Sequence, residues 1–167
     1  MLKLFSSLRE IDTQQLMAVY IEGNRENGAE NYPEDAEQTQ IQKAEEDFIS
    51  YLREDFFQRK DAIYAVWEIE KRYRAALRLE PYKDGLLLEA LETAPEDRRR
   101  GYAFSLINAV LSILRGGKYR IIYSHINKRN LPSLGVHKKC GFTKISDSAT
   151  YVDGTVTQRS CTMYYKL

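Results

Sequence analysis

The stretch of the chain best suited to binding a charged ligand runs from Pro95 to Ala103 and reads PEDRRRGYA. It follows the apolar run Leu86 to Leu91 and leads into an amphipathic helix. The backbone N–H groups at the start of a helix have no partner within the helix, so together they form an anion-binding site. Gly101 and Ala103 lack the side-chain bulk that would keep a phosphate away. The sequence therefore predicts a pyrophosphate-binding loop with arginines at its rim.

A second set of polar residues follows a predicted strand at 120–126. Asn130 is suited to cap a short helix that reaches Lys139, because its side chain can accept a hydrogen bond from the first turn. Pro132 is tolerated there because it lies within that first turn. Gly141-Phe142 then indicates a turn followed by a strand. The order of strand, loop and helix thus occurs twice in the second half of the chain.

The elements that position these loops predict a mixed α/β fold of about seven strands and about four helices. The predicted strands are 2–5, 62–69, 73–79, 86–93, 120–126, 148–152 and 155–166, of which the last two form a closing hairpin that turns at Asp153-Gly154. The predicted helices begin at Asp12, at Tyr32–Asp35, after the Pro95–Ala103 loop and at Asn130.

The two front helices carry different signals. Asp12 is suited to cap the first, with Gln15 at its third position and Ile11 packing onto Leu16, and this helix is expected to end near 24–28. The second is longer, because apolar residues recur at helical spacing at Ile41, Ala44, Phe48, Leu52 and Phe56.

The composition bounds the class of protein. Hydrophobic residues make up 43% and charged residues 29% of the 167 residues, as is ordinary for one soluble globular domain, here 1–167. No segment approaches the length of a membrane span, and the apolar part of the N-terminus is too short for a signal peptide. We therefore expect a cytoplasmic protein with no membrane partner. Cys140 and Cys161 lack metal-ligand spacing, so we expect no metal site.

The formal net charge of +1 conceals two halves of opposite sign. Residues 1–97 include 22 acidic and 12 basic residues, whereas 98–167 include 2 acidic and 13 basic ones. A basic half can face nucleic acid, but no long Lys/Arg run accompanies it, and a compact phosphorylated ligand explains it more economically. The alternative is that the two halves attract each other within one fold. We expect no nucleic-acid partner.

Over essentially the whole chain, these residues resemble the GNAT superfamily of N-acetyltransferases. Arg98-Arg99-Arg100-Gly101-Tyr102-Ala103 matches the family's Gln/Arg-x-x-Gly-x-Gly/Ala pyrophosphate loop. The later Asn-x-x-Ala-x-x-Leu-Tyr-x-x-x-Gly-Phe signature is reproduced at the correct spacing by Asn130, Ser133, Val136, Gly141 and Phe142. Each motif alone is weak, and the combination at the expected separation carries the resemblance.

The resemblance implies a central, twisted, mostly antiparallel sheet that splays between its fourth and fifth strands, with acetyl-CoA in the opening. It implies a bulge in the fourth strand, where the main chain of Leu91 and Thr93 would pair with the pantetheine arm and an N–H would polarise the thioester carbonyl. The other residues implied for acetyl-CoA binding are Arg98, Arg99, Arg100, Gly101, Tyr102, Ala103, Asn130 and Ser133. A simple N-cap role for Asn130 is equally compatible.

The reaction that the resemblance implies is direct transfer of acetyl from the thioester to a primary amine. An amine with a pKa near roughly 10 arrives protonated, so a base must take its proton, directly or through water. Glu89 is the candidate, and the alternative is an exposed strand residue or a contact for a cationic acceptor. Strand alternation predicts that Glu92 points away from the face shared by Glu89 and Leu91, which ranks it lower, and Glu68 ranks third.

The sequence departs from the family's pattern at His137, where a tyrosine usually returns a proton to the CoA thiolate. Neutral imidazole is a poor acid by comparison. Three interpretations are open: His137 acts as imidazolium, it hydrogen-bonds the sulfur, or it packs in the helix while the thiolate leaves unaided. The second is slightly favoured. His125 faces the acceptor cleft or fills space, and space-filling is favoured.

The resemblance therefore predicts an acetyl-CoA-dependent N-acetyltransferase, monomeric or homodimeric, that acts on the primary amine of a small molecule or peptide. The acidic front helices favour a cationic acceptor. A short similarity to aminoglycoside N-acetyltransferases, at Leu88-Glu89 and at Asn130, Ser133 and His137, keeps that acceptor class as one possibility. The alternative is a non-catalytic acyl-CoA-binding or sensing module, and a nucleic-acid or protein-interaction domain is a weaker third.

Overall fold

A computed structural model describes all 167 residues. Its strands are β1 (Leu2–Phe5), β2 (Ile63–Ile69), β3 (Arg72–Tyr82), β4 (Gly85–Thr93), β5 (Ile121–Asn127), β6 (Thr143–Ser146), β7 (Ala149–Thr150), β8 (Val156–Thr157) and β9 (Ser160–Lys166). A seven-stranded sheet has the order β1-β2-β3-β4-β5-β9-β6. Neighbouring strands in it are antiparallel except β4 and β5, which are parallel. The expected mixed α/β fold with a mostly antiparallel sheet is confirmed.

The gap between β4 and β5 opens because the two strands pair over only part of their length. The ladder joins Leu86–Leu88 to Ile122–Ser124 and stops there, although β4 continues to Thr93. Beyond Leu88, β4 stays paired with β3 alone. The expected splay between the fourth and fifth strands is therefore present.

Five α-helices accompany the sheet: α1 (Thr13–Val19), α2 (Ile21–Asn31), α3 (Glu37–Glu54), α4 (Tyr102–Leu114) and α5 (Leu131–Lys139). Asp12 caps α1 as predicted, accepting a hydrogen bond from the Gln15 N–H at 3.1 Å. The front helix predicted to end near 24–28 is instead two helices that break at Tyr20 and reach Asn31. The Tyr20 hydroxyl is bonded to the sheet at this break, a tertiary contact that helical spacing does not reveal.

Side-chain alternation along the strands builds a core on each face of the sheet. On β3, Ala75, Leu77 and Leu79 face the core under α4. Ala76, between them, faces the core under α1 and α3. The two cores fix β3 from both sides, and β3 in turn holds β4.

The end of the chain differs from the prediction. The segments 148–152 and 155–166 do not form one closing hairpin: β7 and β8 pair in a small ladder of their own, and β9 pairs with β5 and β6. Strand β6 carries no alternating apolar pattern and is mostly exposed at the edge of the sheet, which is why it escapes prediction. The turn at Asp153-Gly154 is present, with Gly154 at a φ of +86°.

Helix α3 ends two residues before the predicted apolar pattern does. Phe56 lies in a short 3-10 turn after the helix, where it is fully buried. The spacing of the apolar residues predicted correctly that Phe56 is buried, but it did not predict that the helix ends before Phe56. None of the five helices combines the length and the apolar character that crossing a membrane requires.

Candidate functional site

The end of β4 that faces the splay contains a β-bulge. Arg78 of β3 lies opposite Glu89, and Ala76 lies opposite Glu92, so Ala90 and Leu91 together oppose the single residue between them on β3. Ala90 has a φ of +49°, a left-handed conformation that a residue with a Cβ rarely adopts. The bulge that the family resemblance implied is present.

The bulge changes which side chains share a face. Residues opposite one another in a ladder point to the same side, and Ala76 and Arg78 are two positions apart on β3. Glu89 and Glu92 therefore point to the same face of the sheet, whereas Leu91 packs against the core on the other face. The prediction that Glu92 points away from Glu89 is wrong, because the extra residue at the bulge resets the alternation.

Two buried tyrosines brace the bulge. The Tyr20 hydroxyl donates to the Ala90 carbonyl at 2.6 Å, and the Tyr64 hydroxyl donates to the Tyr20 oxygen at 2.9 Å. Burial raises the pKa of Tyr20 well above its ordinary value, so Tyr20 remains a protonated donor. The strained peptide at Ala90 is thus fixed by two side chains that start 70 and 26 positions earlier in the chain.

The loop that follows β4 presents free main-chain N–H groups. The first helical hydrogen bond of α4 joins the Ser105 N–H to the Gly101 carbonyl, which leaves the N–H groups of 102–104 without a backbone partner. Gly101 has a φ of +82°, and a Cβ built on it would have no protein atom within 4 Å. A side chain at this position would therefore project into open space. This geometry is that of an anion cradle.

Ion pairs hold the loop in place. Asp97, whose side chain is 2% exposed, pairs with Arg74 at 2.8 Å and with Arg100 at 3.4 Å. Arg98 pairs with Glu22 at 2.6 Å and with Glu92 at 3.1 Å. Two of the three loop arginines are therefore occupied by protein carboxylates, and these pairs join the basic half of the chain to the acidic half.

A cleft of about 510 Å³ lies between the β4 bulge, the loop and the start of α5. The predicted site residues that line it are Leu91, Thr93, Arg98, Arg99, Gly101, Tyr102, Ala103, Asn130 and Ser133. Arg100 is the exception: it does not line the cleft, and it pairs with Asp97. Of the three arginines, Arg99 alone lines the cleft without an ion pair.

The start of α5 forms the far wall of this cleft. The Asn130 side chain accepts a hydrogen bond from the Ser133 N–H at 3.0 Å, so Asn130 is the N-cap that its position predicted. Both residues also line the cleft. The cap role and a ligand-binding role for Asn130 are therefore compatible.

His137 lies behind the cleft rather than in it. Its Nδ1 is 2.8 Å from the Ser133 carbonyl oxygen and its Nε2 is 3.1 Å from the Ser124 Oγ. An Nδ1–H that donates to the carbonyl leaves Nε2 to accept from the serine hydroxyl, which is a neutral imidazole. Burial lowers the pKa of His137, whose residue is 1% exposed, and its ring packs edge-on against Phe142. This arrangement favours the packing interpretation of His137.

Glu89 forms a hydrogen-bonded ion pair beside a second cleft. Its carboxylate accepts from the Arg78 Nε at 3.0 Å, and the guanidinium lies over the Tyr51 ring with 4.8 Å between Cζ and the ring centroid. The second cleft, of about 400 Å³, lies on the opposite side of the bulge from the first, and Arg78, Tyr51, Ala90 and the asparagines of α2 line it. The bulge thus separates two clefts.

The other two carboxylates differ in their surroundings. Glu92 lines the first cleft, and burial raises its pKa, an effect that Arg98 opposes. The Glu68 Oε1 lies 3.8 Å from the Lys3 Nζ, and Glu68 lines neither cleft. Glu92 therefore lies in the cleft next to the bulge, although the sequence ranked it below Glu89 as a candidate base.

His125 is enclosed by aromatic rings. The rings of Tyr82 and Tyr151 pack edge-on against it, with centroids at 5.2 and 5.6 Å. Both ring nitrogens are sealed from solvent without a hydrogen-bond partner, and burial lowers the pKa of the imidazole. These contacts agree with space-filling.

Sequence reasoning missed several residues that build the site: Tyr20, Tyr64, Arg74, Arg78 and Asp97. Asp97 carried a usable signal, since an acidic residue directly before three arginines of an anion loop needs a structural reason. Tyr20 and Arg78 carried none, because their roles depend on which segments pack against the bulge.

Comparison with known families gives one clear match. A model of the acetyltransferase (GNAT) family matches residues 28–142, which run from the end of α2 to the residue after the α5 turn. The matched region is well over half of the chain and contains the bulge, the loop and α5. No curated protein sequence matches the chain.

Similar folds occur among solved acetyltransferases. PaiA N-acetyltransferase from Thermoplasma acidophilum, in complex with coenzyme A, is 14% identical over 100% of this chain and 99% of its own, with a TM-score of 0.67. Spermidine N-acetyltransferase from Vibrio cholerae, with CoA and spermine, is 18% identical over 99% and 95%, with a TM-score of 0.61. A second T. acidophilum protein is 21% identical over 64% of this chain, which covers 38% of that protein's length, with a TM-score of 0.50.

Proposed function

The chain belongs to the GNAT family of acetyltransferases, and we propose that residues 1–167 act as one domain that transfers acetyl from acetyl-CoA to a primary amine of a small molecule or peptide. The observation that carries this proposal is the β4 bulge at the mouth of the splay, with an anion cradle on one side and a second cleft on the other. A ligand bound in the first cleft and a ligand bound in the second cleft would meet at the bulge.

The first cleft fits the donor, acetyl-CoA, which supplies an activated acetyl thioester. Its pyrophosphate would accept hydrogen bonds from the free N–H groups at the start of α4, above Gly101. Its pantetheine arm would pair with the main chain of Leu91 and Thr93, as an added strand does. Asn130 and Ser133 would contact the arm from the far wall.

The Leu91 N–H is the group suited to polarise the thioester carbonyl. The bulge frees this main-chain segment from β5, because the β4–β5 ladder ends at Leu88. A fixed N–H donor stabilises the oxyanion that develops as the amine nitrogen bonds to the carbonyl carbon. The C–S bond then breaks and sulfur leaves with the electron pair, giving an amide and CoA.

We assign removal of the amine proton to Glu89, directly or through water. Its carboxylate is oriented by Arg78, which lines the second cleft; Glu89 itself lines neither cleft and would act from beside the second one. Glu92 points to the same face of the sheet but is held by Arg98 at the donor side. Glu89→Gln should lower kcat by on the order of 100-fold, whereas Glu92→Gln should change it by less than about fivefold. Equal losses would remove the distinction between the two carboxylates.

The same geometry leaves the CoA thiolate without a side-chain acid. Both nitrogens of His137 are occupied within the protein. We propose that His137 keeps α5 against β5 and that solvent protonates the thiolate. A non-catalytic acyl-CoA-binding module is the second candidate, and the observation that favours it is this enclosed histidine at the position of the family's tyrosine.

The test combines binding with turnover. Isothermal titration calorimetry with CoA should give a saturable site, and acetyl-CoA plus an amine panel should release free thiol in step with N-acetylated product. The panel contains polyamines, aminoglycosides, amino acids and peptides with free N-termini. Binding of CoA without thiol release from any amine would support the sensing module, and absence of CoA binding would refute both.

A further inference from the structure

The acceptor cleft has a built-in site for an anionic group. We propose that Arg78 binds the carboxylate of the acceptor, and that the acceptor is an amine with a carboxylate close to it, as in an α-amino acid. This proposal rests on the proposed function, because it names the acceptor of the same reaction.

The surroundings of Arg78 leave one edge of its guanidinium free. Two aromatic rings lie against the guanidinium, with Tyr51 at 4.8 Å and Phe56 at 5.8 Å from Cζ to the ring centroids. Nε donates to Glu89. The two terminal nitrogens have no hydrogen-bond partner, and neither is sealed from solvent, although the side chain is only 17% exposed.

A guanidinium with a free terminal edge is a fork for two parallel hydrogen bonds. Carboxylates match that fork in a bidentate geometry, and the fixed stacking on aromatic rings reduces the entropy lost on binding. Arg78 also lines the cleft, so the free edge is accessible to a ligand there. The missing partner of Arg78 is therefore an oxyanion supplied by the ligand.

The position of Arg78 places a bound carboxylate in the same cleft as the bulge. Arg78 lies opposite Glu89 in the ladder, and Ala90 is the next residue, whose peptide leads to the Leu91 N–H. Arg78 and Ala90 both line the cleft of about 400 Å³. An acceptor whose carboxylate binds Arg78 while its amine reaches the bulge therefore has the two groups close together.

The charges at the cleft leave room for a zwitterion. Arg78 and Asp47 line the cleft, and Glu89 pairs with Arg78 at 3.0 Å. A carboxylate of the acceptor would bind the free edge of Arg78, while its ammonium group would be attracted to Glu89 and Asp47. The cleft volume of about 400 Å³ suits a small molecule, and three asparagines of α2 also line it: Asn24, Asn27 and Asn31.

The experiment compares acceptors that differ only in the carboxylate. Thiol release is measured with the standard amino acids, and for the best of them with its α-carboxamide and its decarboxylated amine. We expect kcat/KM for the amino acid to exceed that of both analogues by at least about tenfold. In Arg78→Met this ratio should fall to about one, and in Arg78→Lys it should be intermediate, because lysine keeps the charge and loses the fork.

The ratio is chosen because Arg78 also orients Glu89. A loss of base function lowers kcat for every amine and cancels in the ratio, whereas a loss of carboxylate binding does not. Arg25→Met, which removes an exposed arginine of α2 that does not line the cleft, should leave the ratio unchanged. CoA affinity of each variant verifies that it is folded.

Three outcomes overturn the proposal in different ways. If decarboxylated amines or polyamines are acetylated as well as amino acids, Arg78 does not select a carboxylate, while the proposed function stands. If no amine releases thiol although CoA binds, the proposed function fails and the acceptor assignment fails with it. A ratio that survives in Arg78→Met would also refute the role of Arg78.

A second inference comes from the tyrosines that brace the bulge, and it also rests on the proposed function. We infer that Tyr20 is a positioning residue for the Leu91 N–H. The Ala90 carbonyl that accepts from Tyr20 and the Leu91 N–H belong to the same peptide group, so one hydrogen bond orients both ends. A donor at the carbonyl oxygen also polarises the amide, which strengthens its N–H as a donor. Tyr64 extends the chain by donating to Tyr20.

The test reads the polarisation of the bound carbonyl directly. Acetonyl-CoA, a ketone that cannot transfer its acyl group, is labelled with carbon-13 at the carbonyl and bound to each variant. Tyr20→Phe should move the carbonyl resonance towards its position in free acetonyl-CoA and lower kcat by about tenfold, with Kd for CoA changed less than about threefold. Tyr64→Phe should cause a smaller change of the same kind. An unchanged resonance in Tyr20→Phe, or a loss of CoA affinity that equals the loss of kcat, would refute the inference.

Discussion

The two clefts beside the bulge differ in the chemical groups that they offer to a ligand. The cleft over the start of α4 offers a ligand main-chain groups: free N–H groups beside a glycine at positive φ, and the unpaired edge of β4. The cleft beneath α2 and α3 is mostly side chain: aromatic rings, asparagines and Arg78. A main-chain site should tolerate side-chain changes and respond strongly to changes of backbone conformation. A side-chain site should do the reverse.

We expect the largest effect from the buried ion pair between Asp97 and Arg74, which holds the loop at the first cleft. Asp97→Ala leaves Arg74 without its partner, and the free energy of unfolding should fall by about 3 kcal/mol. The control is Glu96→Ala, which removes an exposed pair with Arg72 and should cost less than about 0.5 kcal/mol. Urea denaturation measures both. Similar values for the two variants would mean that the loop does not depend on its buried ion pair.

The next effect separates backbone from side chain within the loop. Gly101→Val imposes a φ of +82° on a β-branched residue and so strains the backbone that presents the free N–H groups, and Kd for CoA should rise by on the order of 100-fold. Arg99→Ala removes only rim charge and should raise Kd by about threefold. Calorimetry compares them. Equal increases in Kd would show that the arginine side chains dominate donor binding.

A smaller effect is expected at the wall behind the donor cleft. His137→Phe removes both hydrogen bonds of the ring and leaves the buried Ser124 hydroxyl without that partner, so the free energy of unfolding should fall by about 2 kcal/mol. Turnover per folded enzyme should fall by less than about threefold. Loss of turnover with full stability would instead make His137 the acid that serves the thiolate.

The smallest effect is a pH dependence of stability from the two histidines in the chain. Burial lowers the pKa of both His125 and His137 below the ordinary 6.5. The unfolded chain then binds more protons than the folded one just below that pH, so stability is full above pH 6.5 and is lost as the pH falls through the folded values. Denaturation at several pH values should show a steeper decline in the wild type than in the double variant His125→Phe, His137→Phe. Parallel declines would contradict the lowered pKa values.

The main-chain site could be predicted from the sequence because its determinants are local. A strand, a glycine-containing loop and a helix start lie within 20 residues, and their spacing defines the anion cradle. The N-caps at Asp12 and Asn130 follow from local spacing in the same way. The fold class follows from the order of such elements.

The side-chain site could not be predicted because its contacts join distant segments. Tyr20 reaches Ala90 across 70 positions, and the bulge that puts Glu92 beside Glu89 depends on the register with β3. Alternation counted along β4 alone gives the wrong face for Glu92. The prediction of a closing hairpin was wrong for the same reason, since β9 pairs with β5 and β6 instead.

Transfer from donor to acceptor can be followed through the acetyl group itself. Acetyl-CoA labelled with carbon-13 in the acetyl carbonyl is incubated with the enzyme and the amine panel, and free thiol and labelled products are quantified together. We expect one N-acetyl amide for each thiol released, and, at a donor concentration below Kd, we expect Gly101→Val to form both products on the order of 100-fold more slowly. Tight CoA binding with the label recovered only as acetyl-CoA or free acetate would contradict the proposed transfer.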